Sequence, residues 1–110
     1  MSDLSNVREV YDRFEEIQLV DCRENYEWVA GHVDGAIHMP VNSIMAGAGG
    51  DLDKARPVAV ICRTGNRSEL ATMMLQARGY DATNVEGGME AWASAGLPFA
   101  AVDGSEGRVA

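Results

Sequence analysis

Pro57-Val58-Ala59-Val60-Ile61-Cys62-Arg63-Thr64-Gly65-Asn66-Arg67-Ser68 is the stretch whose reading decides the fold. Its first five residues are uncharged and rich in β-branched side chains, the composition of a short strand buried on both faces. Beyond the stretch, Glu69 to Arg78 carries Leu70, Met73, Met74 and Ala77 at helical spacing, and Gly79 supplies the stop. A cysteine therefore stands at the carboxyl end of a strand, in a polar turn leading into a helix N-terminus. Backbone N–H groups in such a turn point inward at whatever lies over the cysteine, which favours an anion and lowers the thiol's pKa. This is a place for sulfur chemistry.

Upstream, Leu4, Val7, Val10, Tyr11 and Phe14 fall three or four apart, predicting an amphipathic helix over 3–14 with Ser5 as a cap. Ile17 to Val20 reads as a second strand, with Asp21-Cys22-Arg23 at its carboxyl end. Ligands of open α/β sheets bind outside the carboxyl ends of the strands, so these three residues are expected on the same rim as Cys62. A short helix is expected over 24–30, closed by Gly31, then a turn at His32 to Gly35 and a brief strand over 36–39. Asn42 or Ser43 would cap one helical turn. Ala46 to Gly50 reads as a flexible surface loop, since a phosphate loop would need Gly-Lys-Ser/Thr where Asp51 stands. Downstream, a last strand is expected over 81–85 and a helix carrying Trp92 over 89–95. The domain is expected to span 4–100, with a flexible tail over 101–110. Strands alternating with helices imply an α/β fold: a mainly parallel central sheet with helices on both faces.

A chain of 110 residues suits one domain with one core. No apolar run is long enough to span a membrane, and Met1-Ser2-Asp3-Leu4 lacks the basic and apolar regions of a signal peptide, so a cytoplasmic protein is expected. The net charge of −8 argues against nucleic acid or an anionic membrane as partner. Arg63 and Arg67 nonetheless put two positive charges in the cysteine turn, where they would attract a small anion. The 2 cysteines form no Cys-x-x-Cys pair and no His/Cys cluster has zinc spacing, so no metal site is expected.

Four motifs, in order, resemble those of the single-domain rhodaneses, or thiosulfate sulfurtransferases. Leu19-Val20-Asp21-Cys22-Arg23 is similar to that family's Asp-x-Arg strand end, and Gly31-His32-Val33-Asp34-Gly35-Ala36 to its Gly-His-Ile-x-Gly-Ala turn. Cys62 to Ser68 resembles its active-site loop, and Glu86-Gly87-Gly88 through Trp92 to Gly96-Leu97-Pro98 its closing segment. The resemblance runs from about Val7 to Phe99 and implies a single rhodanese-like domain. Two features depart from the family pattern: Cys22 takes a usually aliphatic position, and Ala46 to Gly50 has no counterpart.

The family's reaction, carried over, makes Cys62 a nucleophile that takes a sulfane sulfur from a small anionic donor such as thiosulfate. The resulting persulfide passes its sulfur to cyanide, a thiol or a protein acceptor, with no metal or organic cofactor. Arg63, Thr64, Gly65, Asn66, Arg67 and Ser68 would form the donor site, the arginines gripping sulfite oxygens, and Arg23 is placed beside them. Asp21 reads as an ion-pair partner. His32 and His38 read as structural, and Trp28 and Trp92 as packing residues. Cys22 reads as a packed cysteine, although a disulfide or sulfur relay with Cys62 would follow if the Cα spacing allowed it. One rival is a cysteine phosphatase or arsenate reductase, but its Cys-x5-Arg motif would need arginine at position 68, where Ser68 stands. The other is a non-catalytic interaction module, whose usual mark is loss of the cysteine, and Cys62 is present.

Overall fold

The computed structural model describes residues 3–110; Met1 and Ser2, the start of the Met1–Leu4 stretch discussed above, lie outside the described residues. Four strands, β1 (Gln18–Asp21), β2 (Ile37–His38), β3 (Val58–Ile61) and β4 (Ala82–Asn84), form one sheet in the order β2-β1-β3-β4. Every pairing is parallel, so all four carboxyl ends open on one rim. Three helices connect them, α2 (Asn25–Ala30), α3 (Val41–Met45) and α4 (Asn66–Ala77), while α1 (Val7–Asp12) precedes the first strand and α5 (Gly88–Ser94) follows the last.

The period of two along β1 and β3 divides the core into two layers. Leu19, Ala59 and Ile61 face one way and pack with Val10, Val85, Met89 and Trp92. Val20, Val58, Val60 and Cys62 face the other and pack with Ile44, Ala71 and Leu75. Every residue of β3 is buried, as its composition predicts for a central parallel strand. Helices thus cover both faces, α1 and α5 on the first and α3 and α4 on the second.

Several local expectations change. The first helix is shorter than expected because Asn6, rather than Ser5, caps it, accepting from Arg8 N–H at 2.8 Å. Phe14–Glu16 then closes as a tight 3-10 turn. The glycine-rich loop is tied down: Tyr80 O–H donates to Gly49 C=O at 2.8 Å, and Arg78 donates to the carbonyls of Ile44 and Ala48. The tail, expected to be flexible, folds back on the domain. Val102 N–H donates to Val29 C=O and Arg108 N–H to Ala30 C=O, while Gly107 lies against Phe99. These bonds, with the Phe99 contact, tie the segment to the loop before it and to the end of α2.

Candidate active site

Cys62 follows the last residue of β3 and is 1% exposed. Gly65 lies three residues on with φ +107, a left-handed conformation that favours glycine, and serves as N-cap of α4. That turn aims Gly65 N–H at Cys62 Sγ, 3.0 Å away. One turn into α4, Ser68 presents its hydroxyl to the same sulfur at 3.2 Å. The third neighbour is Cys22, across the sheet on β1's end, whose thiol hydrogen-bonds Cys62. This Cys22 thiol, then the Ser68 hydroxyl and the Ser68 and Gly65 N–H groups, outweigh the effect of burial and pull the Cys62 pKa down to about 4. Cys22 moves the opposite way: its bond to Cys62, its burial and the neighbouring negative charge push its thiol upward. At neutral pH the pair is therefore one thiolate, on Cys62, and one thiol, on Cys22.

The cradle is held from behind. Asn84, at the end of β4, donates from Nδ2 to Gly65 C=O at 3.1 Å, and its Oδ1 shares with Cys62 Sγ the single proton of the Ser68 hydroxyl. The first amides of α5 clasp the loop, Met89 N–H on Cys62 C=O at 2.8 Å and Glu90 N–H on Arg63 C=O at 3.0 Å. Gly88 makes this approach possible: a Cβ there would overlap the Cys62 carbonyl oxygen and stand 2.6 Å from that of Arg63. Gly88→Ala is expected to cost about 2 kcal/mol or more in urea unfolding, from that overlap and its φ of +55. Stability equal to wild type would show that the loop shifts without cost.

Of the expected donor-site residues, Gly65 and Ser68 are buried against the sulfur, while Arg63, Thr64 and Asn66 are exposed around it. The Arg63 side chain is 50% exposed and reaches Glu90 at 3.1 Å, a surface pair of little energetic weight. Arg67 is committed elsewhere, forking onto both carboxylate oxygens of Glu27. Burial alone would raise the Glu27 carboxyl; the Arg67 fork and Glu24 N–H more than offset this and hold it below the usual range. Arg23 is not brought to the site. It is fully buried and spends Nε and Nη2 on Asp21, with Nη2 also donating to Gly31 C=O at 2.6 Å. No incoming anion can touch it, so its place in the donor site is withdrawn and the ion pair with Asp21 takes over. His32 and His38 both stack on Trp28, their rings lying 3.8 and 4.6 Å from its ring, and each also hydrogen-bonds a backbone carbonyl, that of Trp28 and of Arg23 respectively.

Three contributors escaped the reading of the sequence: Asn84, Glu27 and the α5 amides. Asn84 carried a usable signal, being a polar residue at a strand's carboxyl end. Glu27 sits in a helix like any surface acid, and nothing in its neighbours marks it as buried. No group of three or more His, Cys, Asp or Glu side chains is placed to hold a metal among the described residues.

The family model for the rhodanese-like domain matches residues 6–95, which include the sheet and the cysteine loop. The chain belongs to the rhodanese-like family. A protein of Allochromatium vinosum named as a sulfurtransferase is 36% identical over 91 residues, covering 82% of this chain and 84% of its own. The crystal structure of a rhodanese-related protein from Thermoplasma volcanium superposes with a TM-score of 0.80 at 29% identity, covering 86% of this chain and 94% of that one. That of a rhodanese-like domain protein from Staphylococcus aureus gives 0.72 at 32% identity, covering 79% and 87%. Within this rhodanese-like domain the motifs touch one another: Arg23, paired with Asp21, donates to Gly31 C=O, and the segment that follows Gly87 clasps the cysteine loop.

Proposed function

We propose that this rhodanese-like domain is a sulfurtransferase that carries sulfane sulfur on Cys62. The observation that supports it is the thiolate cradle, with Gly65 N–H and Ser68 Oγ directed at a sulfur whose pKa lies far below that of an ordinary thiol. The thiolate attacks the outer sulfur of thiosulfate or a similar donor. A sulfur–sulfur bond forms at Cys62, the donor's sulfur–sulfur bond breaks, and sulfite leaves with the electron pair. Cyanide or a thiol then attacks the terminal sulfur, and Cys62 departs as thiolate. The N–H and O–H donors that hold the resting thiolate are equally suited to a persulfide anion, so no general base is needed. Arg63, exposed beside the loop, is the guanidinium placed to meet the sulfite oxygens.

The phosphatase reading finds no support in the same geometry. Its arginine must lie six residues beyond the cysteine, with five residues between, and grip phosphate with a free fork. Arg67 comes one residue early, and its fork is filled by Glu27.

Intact mass after brief incubation with thiosulfate tests the proposal. One sulfur atom should be gained and then lost on adding cyanide, with thiocyanate appearing; no gain would overturn thiosulfate as donor. The pH dependence adds a second check. Protonation of Cys62 removes the nucleophile, and with a pKa near about 4 the loading rate should be flat from roughly pH 6 to 8 and fall only in acid. A rate climbing about tenfold per pH unit through that range would mean an ordinary thiol.

A further inference from the structure

Cys22 is a buried thiol that the transfer cycle uses only as a hydrogen-bonding neighbour of Cys62 and never as a nucleophile. β1 and β3 pair in register through Asp21 and Ile61, and Cys22 N–H then donates to Ile61 C=O at 3.0 Å, extending the ladder by one step. Cys22 therefore stands opposite Cys62. Neighbouring strands lie about 4.7–4.9 Å apart, within the Cα separation of roughly 4.4–6.8 Å that a disulfide bridges. The side chains also share a face: Val20, Cys22, Val60 and Cys62 belong to one buried cluster. Each cysteine is 1% exposed, so an outside thiol reaches Cys22 no more readily than it reaches Cys62. A sulfur added to Cys62 is drawn towards Gly65 N–H and the Ser68 hydroxyl, while Cys22 flanks the Cys62 sulfur from the adjacent strand.

We infer that Cys22 is a resolving cysteine, which discharges the Cys62 persulfide as hydrosulfide when no outside acceptor collects it. This rests on Cys62 taking up sulfane sulfur as proposed above. In the step, Cys22 sulfur attacks Cys62 Sγ. The Cys22–Cys62 bond forms, and the bond from Cys62 to the terminal sulfur breaks with its electron pair going to the leaving sulfur. The Cys22 proton leaves with it, so a persulfide anion and a thiol become a disulfide and HS⁻. The sulfane sulfur is the oxidant and is reduced to hydrosulfide; the two cysteines are oxidised, and no other oxidant enters. Before loading, the negative charge on Cys62 keeps Cys22 protonated. Loading moves that charge one sulfur outward and loosens its hold on the Cys22 proton. The disulfide then blocks further loading until a dithiol reductant reopens it, so the domain consumes two electrons per sulfur released.

The test uses the reduced protein, freed of reductant and loaded in parallel with thiosulfate and with inorganic polysulfide, and left without cyanide or thiol. Wild type should release hydrosulfide, close to one per loaded chain, as the persulfide mass disappears. A digest under non-reducing conditions should yield the Cys22 and Cys62 peptides joined. Cys22→Ser, which keeps a hydroxyl donor beside Cys62, and Cys22→Ala, each followed from the moment it is loaded and scored per loaded chain, should retain the persulfide and release hydrosulfide at least about tenfold more slowly. A wild-type persulfide that persists with Cys22 free, or release from folded variants at the wild-type rate, would overturn resolution. The joined peptide is read on wild type, so a variant that fails to fold does not decide the matter. Loading by polysulfide but not thiosulfate, followed by disulfide formation, would overturn the donor and uphold resolution. Loading by neither reagent would overturn both.

Discussion

Cys62→Ser is expected to abolish sulfur loading, lowering transfer from thiosulfate to cyanide on the order of 10⁴-fold or to background, while the fold survives. Serine has nearly the shape of cysteine, so the cluster of Val20, Val60, Ala71 and Leu75 around the site keeps its packing. What it lacks is an ionised, polarisable sulfur. The Gly65 N–H and Ser68 hydroxyl would face a neutral hydroxyl in place of a thiolate, and no base adjoins it to take the proton. Steady-state thiocyanate formation reads the loss, and circular dichroism with urea unfolding shows that the domain remains. Substantial turnover by the folded variant would remove Cys62 as the carrier and leave Cys22 as the sulfur to examine.

Asp21→Ala is expected to be the most destabilising single change at the rim, costing about 3–5 kcal/mol. The pair it breaks is completely enclosed: Arg23 is 0% exposed, and its Nη1 already has no hydrogen-bond partner among the described residues. Removing the carboxylate strands a guanidinium that cannot be deprotonated and cannot reach water. For a domain whose total stability is of the order of 5–15 kcal/mol, that is a large share. Replacing both members by apolar residues, Asp21→Leu with Arg23→Met, should recover most of the loss, since the cost lies in the unpaired charge rather than in the missing bond. Urea midpoints of the two variants measure the difference. A single variant within about 1 kcal/mol of wild type would mean that water or another acceptor reaches Arg23.

These two residues also show what the sequence could and could not reveal. The place of Cys62 between a buried strand and a helix was legible because an apolar run followed by a polar turn and a helical period has few other readings. Arg23 was not, because a rim arginine and an enclosed one look alike until the loop at Gly31 is known to close over it. The inward face of α4 misled for a different reason. Leu70 and Met73 suggested it by hydrophobicity, yet both are exposed, and the helix buries Ser68, Ala71, Thr72 and Leu75. Small side chains let α4 lie close against β3 and bring Ser68 to the sulfur, a demand of the site that no average of hydropathy records. The start of α4 at Asn66 rather than Glu69 has the same origin, since Gly65 must cap the helix to aim its N–H at Cys62. The parallel sheet with helices on both faces was legible throughout, because alternation of element types needs only the boundaries to be roughly right.

The clasp of α5 on the cysteine loop has a consequence for how the protein comes into being. Synthesis is vectorial, and Cys62 leaves the ribosome well before Met89 and Glu90, whose amides close over its carbonyl and that of Arg63. Until that helix arrives, the Cys62 and Arg63 carbonyls lack the two amide bonds that hold the loop in its folded shape. The reactivity proposed for Cys62 therefore depends on α5 having docked, an event that can follow only after residues 88–94 have been made.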